Sequence, residues 1–119
     1  MAYVDGFVLP VPKKNLKAYV RIAKLAAKVW KEHCALEYRE CAGDDLDVKV
    51  GMPFSKSVKL KAGETVVFAW IVYKSRAHRD RVIAKVMKDV RLAEMMDPGA
   101  MPFDPKRMAY GGFKMLVDA

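Results

Sequence analysis

The sequence is poor in residues that form covalent cross-links. It has two cysteines in 119 residues, which excludes the disulfide framework of small secreted proteins. If the segment between Cys34 and Cys41 is extended, the two lie on the order of 23 Å apart, far beyond disulfide reach. We therefore expect free structural thiols that are buried or half-buried, and we prefer this interpretation to redox chemistry.

Long apolar runs are also missing. No stretch approaches the ~20 apolar residues that would span a bilayer. The first residues, MAYVDGFVLP, contain an aspartate within the apolar run and no preceding basic residue, which does not match a signal peptide. We expect a cytoplasmic protein without a membrane partner, and we interpret these residues as a first strand.

Several chemical motifs are absent from the sequence. It has no Gly-rich phosphate loop, no nucleophile elbow and no CxxC pair. His33 and His78 lie far apart, and Asp44, Asp45 and Asp47 belong to an unrelated predicted loop. Metal ligands normally cluster at short, regular spacings. We therefore expect no metal site and no bound cofactor.

Basic residues outnumber acidic ones, 22 to 14, giving a formal net charge of +8. Such an excess can indicate nucleic-acid binding. Here the basic residues are spread over two predicted helices rather than gathered in a tail, which is more typical of solvated helix faces. We do not expect nucleic acid to be the partner.

The segment Thr65 to Tyr73, TVVFAWIVY, is uncharged. Alternate residues of a strand point to opposite faces, so both faces of this strand are apolar and both need a cover. Two helices can cover one face of a sheet. One face would carry Val66, Phe68, Trp70 and Val72, and the other Val67, Ala69 and Ile71.

The remaining pattern predicts one α+β domain over residues 1–119, with a ferredoxin-like βαββαβ order. Right-handed crossovers would place the first and third strands side by side and parallel, with both helices on one face. Ser75 is the predicted N-cap of the second helix, whose buried residues should be Val82, Ile83, Val86 and Met87. The predicted elements are strands Tyr3–Leu9, Ala35–Cys41, Thr65–Tyr73 and Arg107–Val117, helices from between Pro12 and Asn15 to about Glu32 and from Arg76 to about Lys88, a possible short strand Ser57–Leu60, a possible helical turn Arg91–Met96, and a breaker-rich loop over residues 97–105.

One face of this sheet would remain uncovered. Four strands ~4.8 Å apart and ~20 Å long present about 400 Å². The protruding side chains of Phe7, Phe68, Trp70 and Tyr110 would increase this apolar area. Apolar patches of that size tend to be interaction sites. We expect a homodimer joined through the sheet faces.

Four segments carry a family resemblance: YVDGFVLPVPKKNLKAY (3–19), VWKEHCALEYRECAGDD (29–45), ETVVFAWIVYKSRAHRDRVIAKVMKD (64–89) and MPFDPKRMAYGGF (101–113). Together they resemble the YbaA-like family of small bacterial proteins of unknown function. That family is similar to the dimeric α+β barrel superfamily, in which two ferredoxin-like subunits join their sheets into a barrel. The resemblance implies a dimeric barrel, and the superfamily includes monooxygenases, isomerases and stress-related proteins. Cys34 departs from the resemblance, because we expect glycine after His33.

Asp5 is the most informative polar residue. It shares a face of the first strand with Tyr3, Phe7 and Leu9, and an ionised carboxylate without a partner is expensive to bury. If that face looks into a barrel, Asp5 is a candidate catalytic base or ligand anchor with a shifted pKa. The alternative is a structural ion pair with Lys114 or an arginine.

A ligand pocket and an anion site are the other candidate sites. Aromatic residues could line an apolar pocket for a small anionic or aromatic ligand, with core packing as the alternative. Both predicted helices follow the central parallel strands, so we expect both helix starts at the same end of the sheet. The basic residues near these starts would form a rim for an anion, with solvated lysines as the alternative. The pocket residues would be Trp30, His33, Tyr38, Glu40, Phe68, Trp70 and Tyr110, and the rim residues Lys13, Lys14, Lys17, Lys74, Arg76 and Arg79.

These observations favour a homodimer with a small-molecule pocket between sheet and helices. Whether it catalyses a reaction stays open, and a cofactor-independent monooxygenase-like or isomerase-like enzyme would fit. An RNA-binding module and a structural or stress-related dimer without ligand are the alternatives.

Overall fold

The computed structural model describes residues 1–97, 99 and 101–119. The main elements follow the predicted βαββαβ order, with short helices added in the connections, and the α+β, ferredoxin-like fold is confirmed. The strands are β1 (Tyr3–Pro12), β2 (Glu37–Ala42), β3 (Glu64–Tyr73) and β4 (Ala109–Lys114); the helices are α1 (Leu16–Glu32), α2 (Phe54–Ser57), α3 (Arg76–Met87) and α4 (Arg91–Met95), with 3₁₀ turns at Lys13–Asn15 and Pro105–Arg107.

The sheet has the strand order β2-β3-β1-β4. The central position of β1 and β3 is confirmed, but the predicted parallel orientation is wrong. Tyr3 pairs with Tyr73 and Pro12 with Glu64, so the two strands run antiparallel. In a split βαβ unit the first helix returns the chain to a strand parallel to β1 one position away, and β3 enters the gap antiparallel to both. Helices α1 and α3 therefore begin at opposite ends of the sheet.

The helix-covered face of the sheet forms the core. Tyr3, Leu9 and Val11 of β1 are buried there in two apolar clusters, which β3 continues with Val67 and Ile71. The helices complete these clusters with Tyr19, Ala26 and Val29 of α1 and Val82 and Val86 of α3.

The opposite face, which we call the open face, is apolar, and the part of the chain that the structure describes leaves it uncovered. Phe68 is 43% exposed and Phe113 is 62% exposed. The Phe113 ring lies over Gly6, where an added β-carbon would come within 3.4 Å of it. Phe54 of α2 packs edge-on against Phe68, with ring centroids 6.1 Å apart. The open face therefore extends beyond the strands onto the connection before β3.

Two residues expected on the open face lie on the other side. Phe7 stacks on Tyr110 with ring centroids 4.9 Å apart, and the Tyr110 hydroxyl accepts a hydrogen bond from Arg79 of α3. Because Phe7 pairs with Tyr110 across β1 and β4, both side chains point toward the helices.

The connection between β2 and β3 differs from the prediction. The short strand expected at Ser57–Leu60 is wrong, since the chain forms the single turn α2 after Pro53. Lys59 takes a positive φ of 52°, and the Leu60 amide donates back to the Ser55 carbonyl at 2.9 Å. This tight reversal is incompatible with an extended strand.

Helix α3 begins as predicted, because the Ser75 hydroxyl accepts a hydrogen bond from the His78 amide at 3.1 Å. Its buried stripe consists of His78, Val82 and Val86. Burial is wrong for Met87, which is 65% exposed, because it lies ~100° around the helix from Val86.

Both cysteine side chains are exposed, so the expected burial of the thiols is wrong. Cys34 lies beyond the end of α1 and Cys41 lies on the edge strand β2. The breaker-rich loop predicted over residues 97–105 includes residues 98 and 100, which lie outside the described residues. Among the helices that the structure describes, none combines the length and apolar character needed to cross a bilayer.

Candidate functional site

A cavity of about 210 Å³ lies between the sheet and α1, and we call it the inner cavity. Its walls come from β1, β2, β3, α1, α4 and the segment that leads into β4. Most of the wall is apolar, and four methionines contribute to it. The lining residues that matter below are Tyr19, Ala23, Trp30, Tyr38, Glu40, Met95, Met96, Met101, Phe103 and Met108.

One polar cluster interrupts this apolar wall. The Tyr38 hydroxyl donates to Glu40 Oε2 at 2.8 Å, and the Tyr19 hydroxyl donates to Glu40 Oε1. Burial raises the pKa of both tyrosines above the ordinary value, and the Glu40 carboxylate raises it further. Both hydroxyls therefore stay protonated at neutral pH. We call Tyr19, Tyr38 and Glu40 the polar trio.

The polar trio also faces a second, more open space, the outer groove, of about 330 Å³ between α1 and β2. Lys24 and Cys41 line only the outer groove. The trio thus forms part of the wall between a solvent-open groove and the inner cavity.

Asp5 lies apart from the lining residues of these two spaces in the described part of the chain. Its side chain is fully buried and accepts a hydrogen bond from Arg79 Nη1 at 2.7 Å. Burial raises the pKa of Asp5 above its ordinary value, while the Arg79 charge opposes the rise. The Arg79 guanidinium also lies 5.0 Å from the centroid of the Tyr3 ring. The contacts of Asp5 therefore match the second interpretation given for this residue, a structural ion pair with an arginine.

Three polar atoms near this pair have no hydrogen-bond partner among the described residues: Asp5 Oδ2, Tyr73 Oη and Trp30 Nε1. Burying such atoms without a partner costs free energy. Asp5 and Tyr73 lie on neighbouring strands, and Tyr73 and Trp30 belong to the same apolar cluster. The pKa of Tyr73 is raised mainly by burial and next by the Asp5 charge. These atoms form a polar region beneath the helices.

The predicted pocket residues do not lie together. Trp30, Tyr38 and Glu40 line the inner cavity. Phe68 and Trp70 instead border a shallow apolar depression on the open face, together with Val4, Val8 and Phe113. Tyr110 lies beside this depression on β4, but its side chain points toward the helices, where it contacts Phe7 and Arg79.

His33 lies at the end of α1, where its Nε2 is 2.9 Å from Asp89 Oδ2. Asp89 is also held by Arg91 Nη2 at 2.7 Å, and these bonds from Arg91 and His33 hold the pKa of Asp89 well below its ordinary value. This group connects α1 to the segment between α3 and α4. His33 is not one of the residues that line the inner cavity.

Sequence reasoning missed the contribution of Tyr19 and of the methionine-rich segment. Tyr19 lies on α1, and its hydroxyl reaches across to Glu40 of β2. Four of the eight methionines line the inner cavity. Their concentration between α4 and β4 was the available signal, because flexible methionine side chains often form adaptable binding surfaces.

The predicted anion rim does not form as one site. Its first three residues are Lys13, Lys14 and Lys17, near the Glu64 end of β3, whereas Lys74, Arg76 and Arg79 follow the other end of that strand. The antiparallel orientation of β1 and β3 separates them. Within the described residues, no group of three or more histidine, cysteine or acidic side chains is arranged to hold a metal ion.

Comparison with known proteins agrees with this architecture. The chain is 43% identical to the "Uncharacterized protein YbaA" of Escherichia coli K12 over 118 residues, 99% of each chain. A dimeric ferredoxin-like protein of unknown function from Jannaschia sp. CCS1 superposes with a TM-score of 0.59 at 11% identity, over 95% of this chain and 99% of that one. A dimeric ferredoxin-like protein from an uncultured marine organism gives 0.52 at 12% identity, over 98% and 96%.

The two structural likenesses show the fold alone, because their sequence identities are low. The full-length identity to the Escherichia coli protein confirms the YbaA-like resemblance. A family model described as "Protein of unknown function (DUF1428)" matches residues 2–105, and the chain belongs to this family.

Proposed function

We propose that the protein is a homodimer that binds a small, largely apolar molecule in the inner cavity. The observation that carries this proposal is a space of about 210 Å³ whose wall is apolar except for the polar trio. Ligand sites in proteins commonly combine an apolar wall with a few placed polar groups. The predicted aromatic ligand fits this wall.

The segment that closes the inner cavity supports the same proposal. Met95, Met96, Met101 and Met108 belong to it, together with Phe103. Methionine side chains adapt to flat or irregular ligands at low cost. A wall of this kind can adjust to the shape of an aromatic molecule.

A calorimetric titration with 1-naphthol and indole tests the proposal. The heat of binding is the readout, because both probes absorb and emit in the same range as Trp30 and Trp70 and would mask their fluorescence. We expect saturable binding and a higher melting temperature.

The matched variants for this titration are Ala23→Leu and Ala84→Leu. Ala23 lines the inner cavity, so a larger side chain there should weaken probe binding by about tenfold or more, because it occupies the ligand's volume. Ala84 is exposed on α3, and its substitution should leave binding unchanged. Absence of saturation with both probes, or equal binding by the Ala23→Leu variant, contradicts the proposed function.

The homodimer part of the proposal rests on the open face. Its Phe68 and Phe113 side chains are exposed, and the fold neighbours from Jannaschia and from the marine organism are described as dimeric. A second copy seated on the open face would bury Phe68 and Phe113 and join the two sheets as in a dimeric α+β barrel. A cytoplasmic location is part of this proposal.

A catalytic role would place the proton-transfer groups in the polar trio. An isomerase-like or cofactor-independent monooxygenase-like reaction needs a base beside the substrate, and Glu40 is the carboxylate that lines the inner cavity in the described residues. The base function predicted for Asp5 stays a prediction, which requires a path from the ligand to the buried Asp5–Arg79 pair. Turnover by an Asp5→Asn variant equal to wild type would contradict it.

RNA binding is a second candidate, favoured by the exposed aromatic rings of Phe68 and Phe113 on the open face. Aromatic side chains on a sheet of this topology can stack unpaired bases. The two candidates differ in oligomeric state, because a dimer joined through the open face has no room for bases. Salt-dependent binding of single-stranded RNA by a monomer would favour the RNA candidate.

A further inference from the structure

The hydrogen-bond directions within the polar trio limit what the inner cavity can bind. A tyrosine hydroxyl has one proton to donate. Tyr19 and Tyr38 both direct that proton to Glu40, one to each carboxylate oxygen. The polar trio can therefore only accept hydrogen bonds from a ligand, through the remaining lone pairs of the carboxylate and of the two phenolic oxygens.

The charge of the side chains that line the inner cavity also limits what it can bind. The protein has a formal net charge of +8, yet the charged side chain that lines the inner cavity in the described residues is the carboxylate of Glu40. Lys24 borders the outer groove, on the other side of the trio. A ligand anion in the inner cavity would meet a negative charge without a facing cation, at low local dielectric.

From these two observations we propose that the inner cavity selects molecules with an aromatic or aliphatic body and a hydrogen-bond donor, an amine or a hydroxyl, directed at Glu40, and that it rejects carboxylates. This inference rests on the proposed function and names its ligand class. This ligand class replaces the expected anionic ligand, because neither group of residues from the predicted anion rim lines the inner cavity. A hydroxyl would donate one hydrogen bond to the Glu40 carboxylate, and a protonated amine would add an ion pair to that bond.

Three probes with the same aromatic body separate the possibilities: 1-naphthylmethylamine, 1-naphthylmethanol and 1-naphthoate. The full-length wild-type protein is titrated with each, with heat of binding and melting temperature as readouts. We expect the amine to bind best, the alcohol next, and the carboxylate at least about tenfold more weakly than the amine.

The Glu40→Gln variant tests the origin of this ranking. It removes the charge at nearly the same volume, so the amine should lose its advantage over the alcohol while the naphthyl body still binds. Glu37→Gln is the control, because Glu37 lies on the same strand but is exposed and does not line the inner cavity. Glu37→Gln should keep the wild-type ranking.

Each outcome bears on a different statement. Saturable binding with the carboxylate preferred, or a ranking that Glu40→Gln leaves unchanged, overturns the ligand class and leaves the proposed function standing. Failure of all three probes to bind the wild-type chain overturns the proposed function itself.

Discussion

At the scale of single residues, the Asp5 carboxylate depends on Arg79 for charge compensation. Asp5 is fully buried, and the Arg79 side chain is 14% exposed. Removing one partner of a buried ion pair leaves the other charge without compensation, and this costs more than the pair contributes. The pair therefore constrains the sequence strongly even if its net contribution to stability is small.

We expect Arg79→Met to lower the free energy of unfolding by about 3–5 kcal/mol, measured by urea denaturation. The double variant Asp5→Leu with Arg79→Met removes both charges and should recover most of the loss. Asp80 also contacts Arg79 but is 61% exposed, so Asp80→Asn should change stability by less than about 0.5 kcal/mol. Equal losses in the single and double variants would contradict this account.

The same pair predicts a pH dependence. The pKa of Asp5 in the folded state is raised above its ordinary 3.8 by burial, with Arg79 opposing the rise. A carboxyl whose pKa is raised in the folded state binds its proton more tightly in the folded than in the unfolded chain. Its contribution to stability therefore falls as pH rises from the pKa of the unfolded chain to that of the folded chain. Without Arg79 the rise is larger. The stability deficit of Arg79→Met should therefore shrink from neutral to acidic pH, and a deficit constant with pH would argue against an ionised Asp5.

At the scale of secondary-structure elements, the end of α1 is strained at one residue. The Ala35 amide donates to the Trp30 carbonyl and the Cys34 amide to the Lys31 carbonyl, each at 3.0 Å. This is a Schellman motif, whose C′ position takes left-handed backbone angles and favours glycine. Cys34 occupies that position with a φ of +80°, which explains why glycine is expected after His33.

Replacing Cys34 by glycine should therefore stabilise the protein. The left-handed conformation costs a non-glycine residue about 1–2 kcal/mol, and part of the gain is offset by the greater flexibility of unfolded glycine. We expect Cys34→Gly to raise the free energy of unfolding by about 0.5–1 kcal/mol. Cys34→Ala removes the thiol but keeps the backbone strain, so it should give no comparable gain. A similar gain in both variants would assign the effect to the thiol.

Elements with a strong pattern were predictable, and those that depend on tertiary contacts were not. The uncharged stretch of β3 and the Ser75 cap of α3 are local signals, and both were read correctly. Strand direction was misassigned because the crossover rule makes β1 parallel to β2, the strand that α1 connects it to, whereas β3 enters between them antiparallel to both. The polar trio was only half predicted, since Tyr38 and Glu40 share a strand face but Tyr19 reaches them from α1 through tertiary packing.

At the scale of the whole molecule, the two faces of the sheet differ in their cover. The helix side buries β1 and β3 in two apolar clusters, whereas the open face carries Phe68, Trp70 and Phe113. A stable interface commonly buries about 800 Å² on each partner. A four-stranded sheet supplies about half of this as a flat area, and the relief of Phe113 and the neighbouring Phe54 adds to it. The open face is thus of a size that a second copy can cover.

A charge placed in the middle of the open face should separate the two copies. In Phe68→Lys the ammonium group would be buried without a partner in the dimer, but it reaches water in the monomer. Sedimentation should show a dimer for wild type and a monomer for Phe68→Lys at micromolar concentration, with unchanged far-UV circular dichroism. Met87→Lys is the matched control, because Met87 is an exposed apolar residue of α3 and its substitution should leave the dimer intact. If wild type sediments as a monomer, or if both variants stay dimeric, the open face is not the interface, whereas binding in the inner cavity, on the other side of the sheet, is tested independently.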